Sequence, residues 1–125
     1  GRVIASGGPL PSVRDALRGR VGERPAAGVV GWLPATAVLL RRAALDSVDG
    51  FDPRYVGEYD DVDLGDRIGR AGWLSLYVPG AEAVVHPAGG PGMLEPRSVA
   101  VRRYLHDRSP AATRALLALA GFGRR

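Results

Sequence analysis

The stretch Gly50-Phe51-Asp52-Pro53-Arg54-Tyr55-Val56-Gly57-Glu58-Tyr59-Asp60-Asp61-Val62-Asp63-Leu64 decides how this chain is read. Asp52, Glu58, Asp60, Asp61 and Asp63 crowd into it. Neighbouring carboxylates repel and raise one another's pKa, so solvent, a metal, a cation-rich partner or acid-base chemistry must account for them. The stretch runs straight into Gly65-Asp66-Arg67-Ile68-Gly69-Arg70-Ala71-Gly72. Leu64, Ile68 and Ala71 fall at i, i+4 and i+7, the spacing of the buried stripe of a helix. Asp63–Arg67 and Asp66–Arg70 read as surface i,i+4 pairs, worth a few tenths of a kcal/mol each. Asp60 and Asp61 have no such partner and stand at the helix entrance. Local chemistry leaves two readings open there: an N-cap with a dipole partner, or carboxylates held for proton transfer.

The totals narrow the choice. The chain has 125 residues, enough for one small domain. Eighteen glycines and ten prolines demand many or long loops. No cysteine is present, which removes disulfides and cysteine metal sites and fits a cytoplasmic setting. The formal charge is +4 and every basic residue is arginine. Such a surface suits a diphosphate or an anionic lipid. Nucleic acid is not expected, because no binding-module signature occurs and aromatics are only 6%. No apolar run reaches the length of a transmembrane helix, and the start Gly1-Arg2-Val3-Ile4-Ala5 does not have the form of a signal peptide.

An ordered series of motifs then adds a resemblance. Gly31-Trp32-Leu33, Val38-Leu39-Leu40-Arg41-Arg42, Gly50-Phe51-Asp52, Asp60-Asp61-Val62-Asp63-Leu64, Arg67, Ala71-Gly72-Trp73 and Tyr77-Val78-Pro79 together resemble the second half of a family 2 glycosyltransferase. Within that family they resemble the rhamnosyltransferases that act on a prenyl-diphosphate-linked sugar in cell-wall synthesis. The likeness covers about residues 28–86. It implies an α/β architecture, the C-terminal half of a GT-A fold with a short mixed sheet and flanking helices. The donor-binding half, with an Asp-x-Asp metal motif, is expected ahead of residue 1, and this chain alone is expected to have no turnover. The resemblance also divides the chain: an extended and loop segment over 1–27, an acceptor-side core over 28–90, and a basic helical segment over 91–125.

The resemblance assigns roles as well. Asp61 matches the family's presumed general base. Asp60 stands where the family usually has Glu, a shorter arm with the same charge. His86, at a strand end, matches a histidine that faces metal and diphosphate, although its spacing from the Pro79 turn is one residue longer than usual. Pro34 is a departure, because the family prefers small residues there. The implied cofactor is Mg²⁺ or Mn²⁺, held mostly by the donor half, with His86 as the ligand from this chain. The implied partners are a nucleotide-sugar donor such as dTDP-rhamnose and a polyprenyl-diphosphate sugar acceptor, at the inner face of the plasma membrane.

Along the chain, Val3-Ile4 suggests a short strand before the Gly7-Gly8-Pro9 break. Ser12 caps a helix running to Arg20. Val29–Leu33 and Ala35–Leu40 read as strands split by Pro34. Trp32 either closes a core edge or lines an acceptor pocket with its ring. Arg41–Val48 reads as a short helix, and Phe51 as a plug beneath the acidic loop. Gly72 stops the acidic helix, and Trp73–Val78 and Ala83–His86 are further strands. Beyond the glycine loop at 89–92, Glu95–Asp107 is helical. Its arginines Arg97, Arg102, Arg103 and Arg108 either bind diphosphate or lipid headgroups or form a solvated face. Ser109-Pro110 opens a last helix with an apolar face at Leu116, Leu117, Leu119 and Ala120. An exposed sheet edge offers a route to a homodimer. A second function class stays open: a diverged, non-catalytic module that binds anionic lipid or a protein partner.

Overall fold

The computed structural model describes residues 7–18, 25–86, 95–111, 115 and 118–119. The readings at Val3-Ile4, at the 89–92 loop and over most of the last helix lie outside them. Leu119, from that helix, is exposed. The elements in order are α1 (Val13–Leu17), β1 (Gly28–Val30), α2 (Arg42–Asp46), α3 (Asp60–Arg70), β2 (Ser75–Tyr77) and α4 (Arg97–Arg108).

Local chemistry explains their ends. Ser12 caps α1 in a reciprocal box: its hydroxyl accepts from the Asp15 N–H, and the Asp15 carboxylate accepts from the Ser12 N–H. Helix α3 closes on Gly72 at φ 91°, with Gly72 N–H donating to Gly69 O and Trp73 N–H to Ile68 O. This paired arrangement needs the left-handed residue that glycine supplies. Ala71 is therefore the cap rather than the last turn, and it is exposed. It drops out of the expected stripe, whose place is taken by Val62, Leu64 and Ile68.

Among the described residues the expected mixed sheet is a two-stranded antiparallel ribbon, with Val29 opposite Leu76. The strand expected at Ala35–Leu40 does not form. Pro34 leads into a turn at Ala35-Thr36, and β2 already pairs with β1, so the apolar run finds no ladder. Leu39 is consequently 98% exposed. The strand expected at Ala83–His86 is also absent, and all four residues face solvent. Phe51 is no plug, being 42% exposed. The core under the acidic loop is built instead from Tyr55, Tyr59 and Val62 with Trp32, Ala16 of α1 and Ala100, Val101, Tyr104 and Leu105 of α4. That core draws on all three segments expected from the sequence.

Helix α4 is fastened to the acidic stretch at several points. Glu95 N–H donates to Val56 O, and Arg54 bridges Asp52 and Asp107 at 2.7 and 2.9 Å. Arg103 grips Glu95 through both terminal nitrogens, at 2.7 and 2.6 Å, and lies over the Tyr55 ring. The Arg54 guanidinium holds the Asp52 carboxyl down at about 2.

The largest departure from the sequence reading concerns Asp63 and Asp66. They are not surface pairs. They are 1% and 6% exposed, and each carboxylate is shared by two arginines. Arg67 and Arg70 supply the i,i+4 contacts, and Arg108, from the far end of α4, donates to both acids. Arg67 also donates through Nη1 to the carbonyls of Val48 and Gly50, both at 2.8 Å, which ties the preceding turn to α3. A carboxylate this deeply buried is tolerated only when charge and hydrogen bonds compensate it.

Candidate active site

Tyr59 sets up the site. It is the N-cap of α3 and takes a left-handed backbone, φ 64° and ψ 2°, which is uncommon for a non-glycine residue. The turn this makes launches Asp60 and Asp61 as the first two residues of the helix. Neither side chain is the N-cap. Instead Asp60 Oδ1 accepts from the Asp61 N–H at 2.9 Å, and Asp61 Oδ1 accepts from the Val62 N–H at 2.8 Å. The helix start, with its unpaired amides, favours both negative charges.

Asp61 is half-buried. Burial raises its pKa above the ordinary carboxylate value, and the neighbouring Asp60 charge raises it further. The backbone N–H groups of Val62 and Ala35 oppose that shift. The Pro34-Ala35 turn thus comes up beside the carboxylate. A carboxylate made more basic in this way, in a residue that lines a hollow, is suited to accept a proton.

The hollow measures about 190 Å³ and is lined by Trp32, Gly57, Glu58, Tyr59, Asp60, Asp61, Val62 and Arg97. Trp32 comes to it because the chain approaches α3 closely. A Cβ on Gly65 would lie 2.5 Å from Gly31 O and 2.7 Å from Trp32 Cβ, so only glycine permits that contact. Backbone bonds between Gly8 and both Gly31 and Trp32 fix the segment from its other side. Trp32 is 6% exposed, so its ring face is spent on the core. Its Nε1, like the hydroxyl of Tyr59, is buried with no hydrogen-bond partner among the described residues. Burial raises the Tyr59 pKa, and the Arg97 guanidinium, by its charge and its approach to the hydroxyl, partly offsets this.

A larger, shallow hollow of about 410 Å³ lies over Arg42, Leu45, Asp46, Asp49 and Gly50. Arg42 and Asp46 there neutralise each other at 2.9 Å, and among the described residues no buried polar atom without a partner lines it. The smaller hollow is the chemically equipped one.

Of the residues singled out in the sequence, the structure brings Asp60, Asp61 and Trp32 together. His86 is exposed and does not line the hollow. Arg103 is bound to Glu95, and Arg102 does not line the hollow either. Among the described residues no three His, Asp or Glu side chains converge to hold a metal ion, so the ligand role expected of His86 finds no companion ligands there. Sequence reasoning passed over Tyr59, counted Glu58 among the crowded acids without giving it a role, and placed Arg97 among four equivalent arginines. The only signal for Tyr59 was its position before the acid pair.

Comparison with known proteins gives a partial match. The chain is 54% identical over 70 residues to the N-acetylglucosaminyl-diphospho-decaprenol L-rhamnosyltransferase of Mycobacterium tuberculosis, in strains CDC 1551 / Oshkosh and ATCC 25618 / H37Rv alike. The match takes in 56% of this chain and 22% of each relative. No family model matches the chain, and no solved structure does. The chain thus spans about a fifth of the length of the curated relatives it matches, and over that span it is similar to a rhamnosyltransferase.

Proposed function

We propose that this chain is the acceptor-side part of an inverting glycosyltransferase and that Asp61 is its general base. The acceptor hydroxyl attacks the anomeric carbon of a nucleotide-sugar, its proton passes to the Asp61 carboxylate, and the nucleoside diphosphate leaves with the bonding pair. The observation that carries this reading is the Asp61 carboxylate: half-buried, made more basic by its surroundings, and lining a hollow together with Asp60 and Trp32. Asp60 raises that basicity by its charge, and Trp32 forms part of the hollow's wall.

The matched relatives support the substrate class. Their name specifies an L-rhamnosyl transfer to N-acetylglucosaminyl-diphospho-decaprenol. We assign this chain a nucleotide-activated rhamnose or similar sugar as donor and a polyprenyl-diphosphate-linked sugar as acceptor, in cell-wall glycan synthesis. A GT-A fold for the complete catalytic domain and a place at the inner membrane face belong to the same proposal. A divalent ion neutralising the leaving diphosphate belongs with the donor site.

One observation favours a second reading, a non-catalytic module that docks on a protein. Val29, Leu74, Leu76 and Val78 share the outer face of the ribbon and are all more than half exposed. On the first reading that face packs against the donor-binding half. The deciding experiment is rhamnosyl transfer by the gene product that contains this chain, with Asp61→Asn beside it. Transfer abolished by Asp61→Asn, with the circular dichroism unchanged, supports the base. Retained transfer removes Asp61 from the mechanism, and a wild-type product without transfer favours the module.

A further inference from the structure

We infer that residues 37–40 are a vacant strand position that receives an extended apolar segment from the donor-binding part of the same polypeptide, close to Asp61. The inference rests on the acceptor-side reading above and names a partner of that site.

The run Ala37-Val38-Leu39-Leu40 has the surface pattern of a strand without its ladder. Ala37, Leu39 and Arg41 are exposed, while Val38 and Leu40 between them are half-buried. That is the two-residue period of a strand with one face on the protein. The backbone of Arg41, which closes the run, is extended at φ −68° and ψ 126°. Yet no N–H or carbonyl from residue 37 to residue 40 has a backbone partner among the described residues. Leu39 stands 98% exposed at the centre of the run.

The chemistry of the run says what covers it. Sheet edges that face water are blunted by lysine, proline, a bulge or an inward charge. This run has no lysine, proline or charge, and all four of its residues are apolar. Continuous apolar sequence of this kind belongs to strands that are covered. The open N–H and carbonyl groups argue against lipid as the cover, because backbone polar groups without partners are not tolerated in hydrocarbon. They call for a second backbone. Among the described residues β1 and β2 pair with each other and leave none to spare. The matched relatives have the length to supply one, since the match takes in only 22% of each.

The position also suits the chemistry. Ala35, beside the Asp61 carboxylate, lies four residues before Leu39, which is at most about 14 Å of chain. A segment paired with residues 37–40 therefore holds the body that binds the nucleotide-sugar within that distance of the general base.

The test is hydrogen–deuterium exchange, read by mass spectrometry, on the 125-residue chain and on the gene product that contains it. The amides of residues 38–40 should exchange about a hundredfold or more slowly in the gene product than in the chain, as paired amides do. Leu39→Asp gives a second readout. It should leave the thermal midpoint of the 125-residue chain unchanged, because the side chain is in water there. It should lower the midpoint of the gene product by about 5 °C or more, because a charge is then buried. The exchange comparison needs no substitution, so it decides the matter even where Leu39→Asp prevents the gene product from folding. Equal exchange in the two molecules overturns the inference, and so does a Leu39→Asp that shifts neither midpoint. Protection already present in the 125-residue chain overturns it as well: lost on dilution, it identifies a second copy as the occupant, and kept, a segment of this chain. Protection that appears only with phosphatidylglycerol vesicles overturns it in favour of a membrane surface. These failures leave the Asp61 reading standing, since sugar transfer and its loss in Asp61→Asn are measured separately. Protection in a gene product without sugar transfer overturns the donor-side assignment and that reading together.

Discussion

Arg108, at the last position of α4, donates through Nη2 to the carboxylate of Asp63, 45 residues earlier in α3. The same guanidinium donates through Nε to Asp66 and lies 4.4 Å from the centre of the Tyr104 ring. One side chain thus clamps the helix that carries the acid pair to the helix that carries Arg97.

Arg108→Ala should therefore destabilise the chain strongly. Removing one partner of a buried ion pair typically costs 3–5 kcal/mol because a charge is stranded. Arg67 and Arg70 still face the two acids, so about 3 kcal/mol is expected. Urea unfolding followed by tryptophan fluorescence measures it. A loss under about 1 kcal/mol, the worth of a surface pair, would contradict the buried arrangement.

Two glycines of α3 should respond in opposite directions to alanine. At Gly69 a Cβ meets nothing within 4 Å, so the usual helix preference applies and Gly69→Ala gains about 0.5–1 kcal/mol. At Gly65 the added Cβ strikes the backbone of Gly31 and Trp32, which cannot rotate away. Gly65→Ala should lose about 1–3 kcal/mol, as overpacking does. It should also shift the Trp32 indole signal, because the Trp32 segment must move off the helix.

Ionised Asp61 works against stability. Burial and the Asp60 charge raise its folded pKa above the ordinary 3.8, so in that window the folded chain holds more protons than the unfolded one. Stability then falls as pH rises from the unfolded value through the folded one. Asp61→Asn should be more stable than the parent at neutral pH, and the gap should close below pH 3.8. Asp52 behaves oppositely. Its pKa is held at about 2 by Arg54, so its modest, solvent-screened contribution is present above 3.8 and disappears as pH falls through about 2. Denaturation midpoints against pH for the parent, Asp61→Asn and Asp52→Asn separate the two signs.

The tyrosines should titrate late. Burial pushes Tyr55 and Tyr104 up to about 12 and raises Tyr59 as well. Absorbance at alkaline pH should show these phenols ionising well above 10, accompanied by falling stability, because the unfolded chain gives up those protons first. Tyr59→Phe should cost little or even stabilise, since it removes a buried hydroxyl that has no partner among the described residues. A large stability loss would mean that the hydroxyl is satisfied after all.

The sequence by itself determined what lies within one helical turn. Ser12 and Asp15 fix the start of α1, Gly72 fixes the end of α3, and the acid pair falls in the first turn of a helix. Such features need only neighbours three or four residues away, which spacing reports. Only the tertiary structure decided what covers them. Asp63 and Asp66 look solvent-facing by their i,i+4 arginines, and they are buried because α4 and Arg108 close over them. Leu39 looks like core and is exposed because, among the described residues, no strand pairs with its segment. Asp61 was legible as a candidate. That Tyr59, and Arg97 rather than Arg102 or Arg103, line the same hollow was not, because hydrophobic period and charge spacing say nothing about which distant segments meet. Burial and electrostatics depend on that meeting, and at this site they set the basicity of a carboxylate.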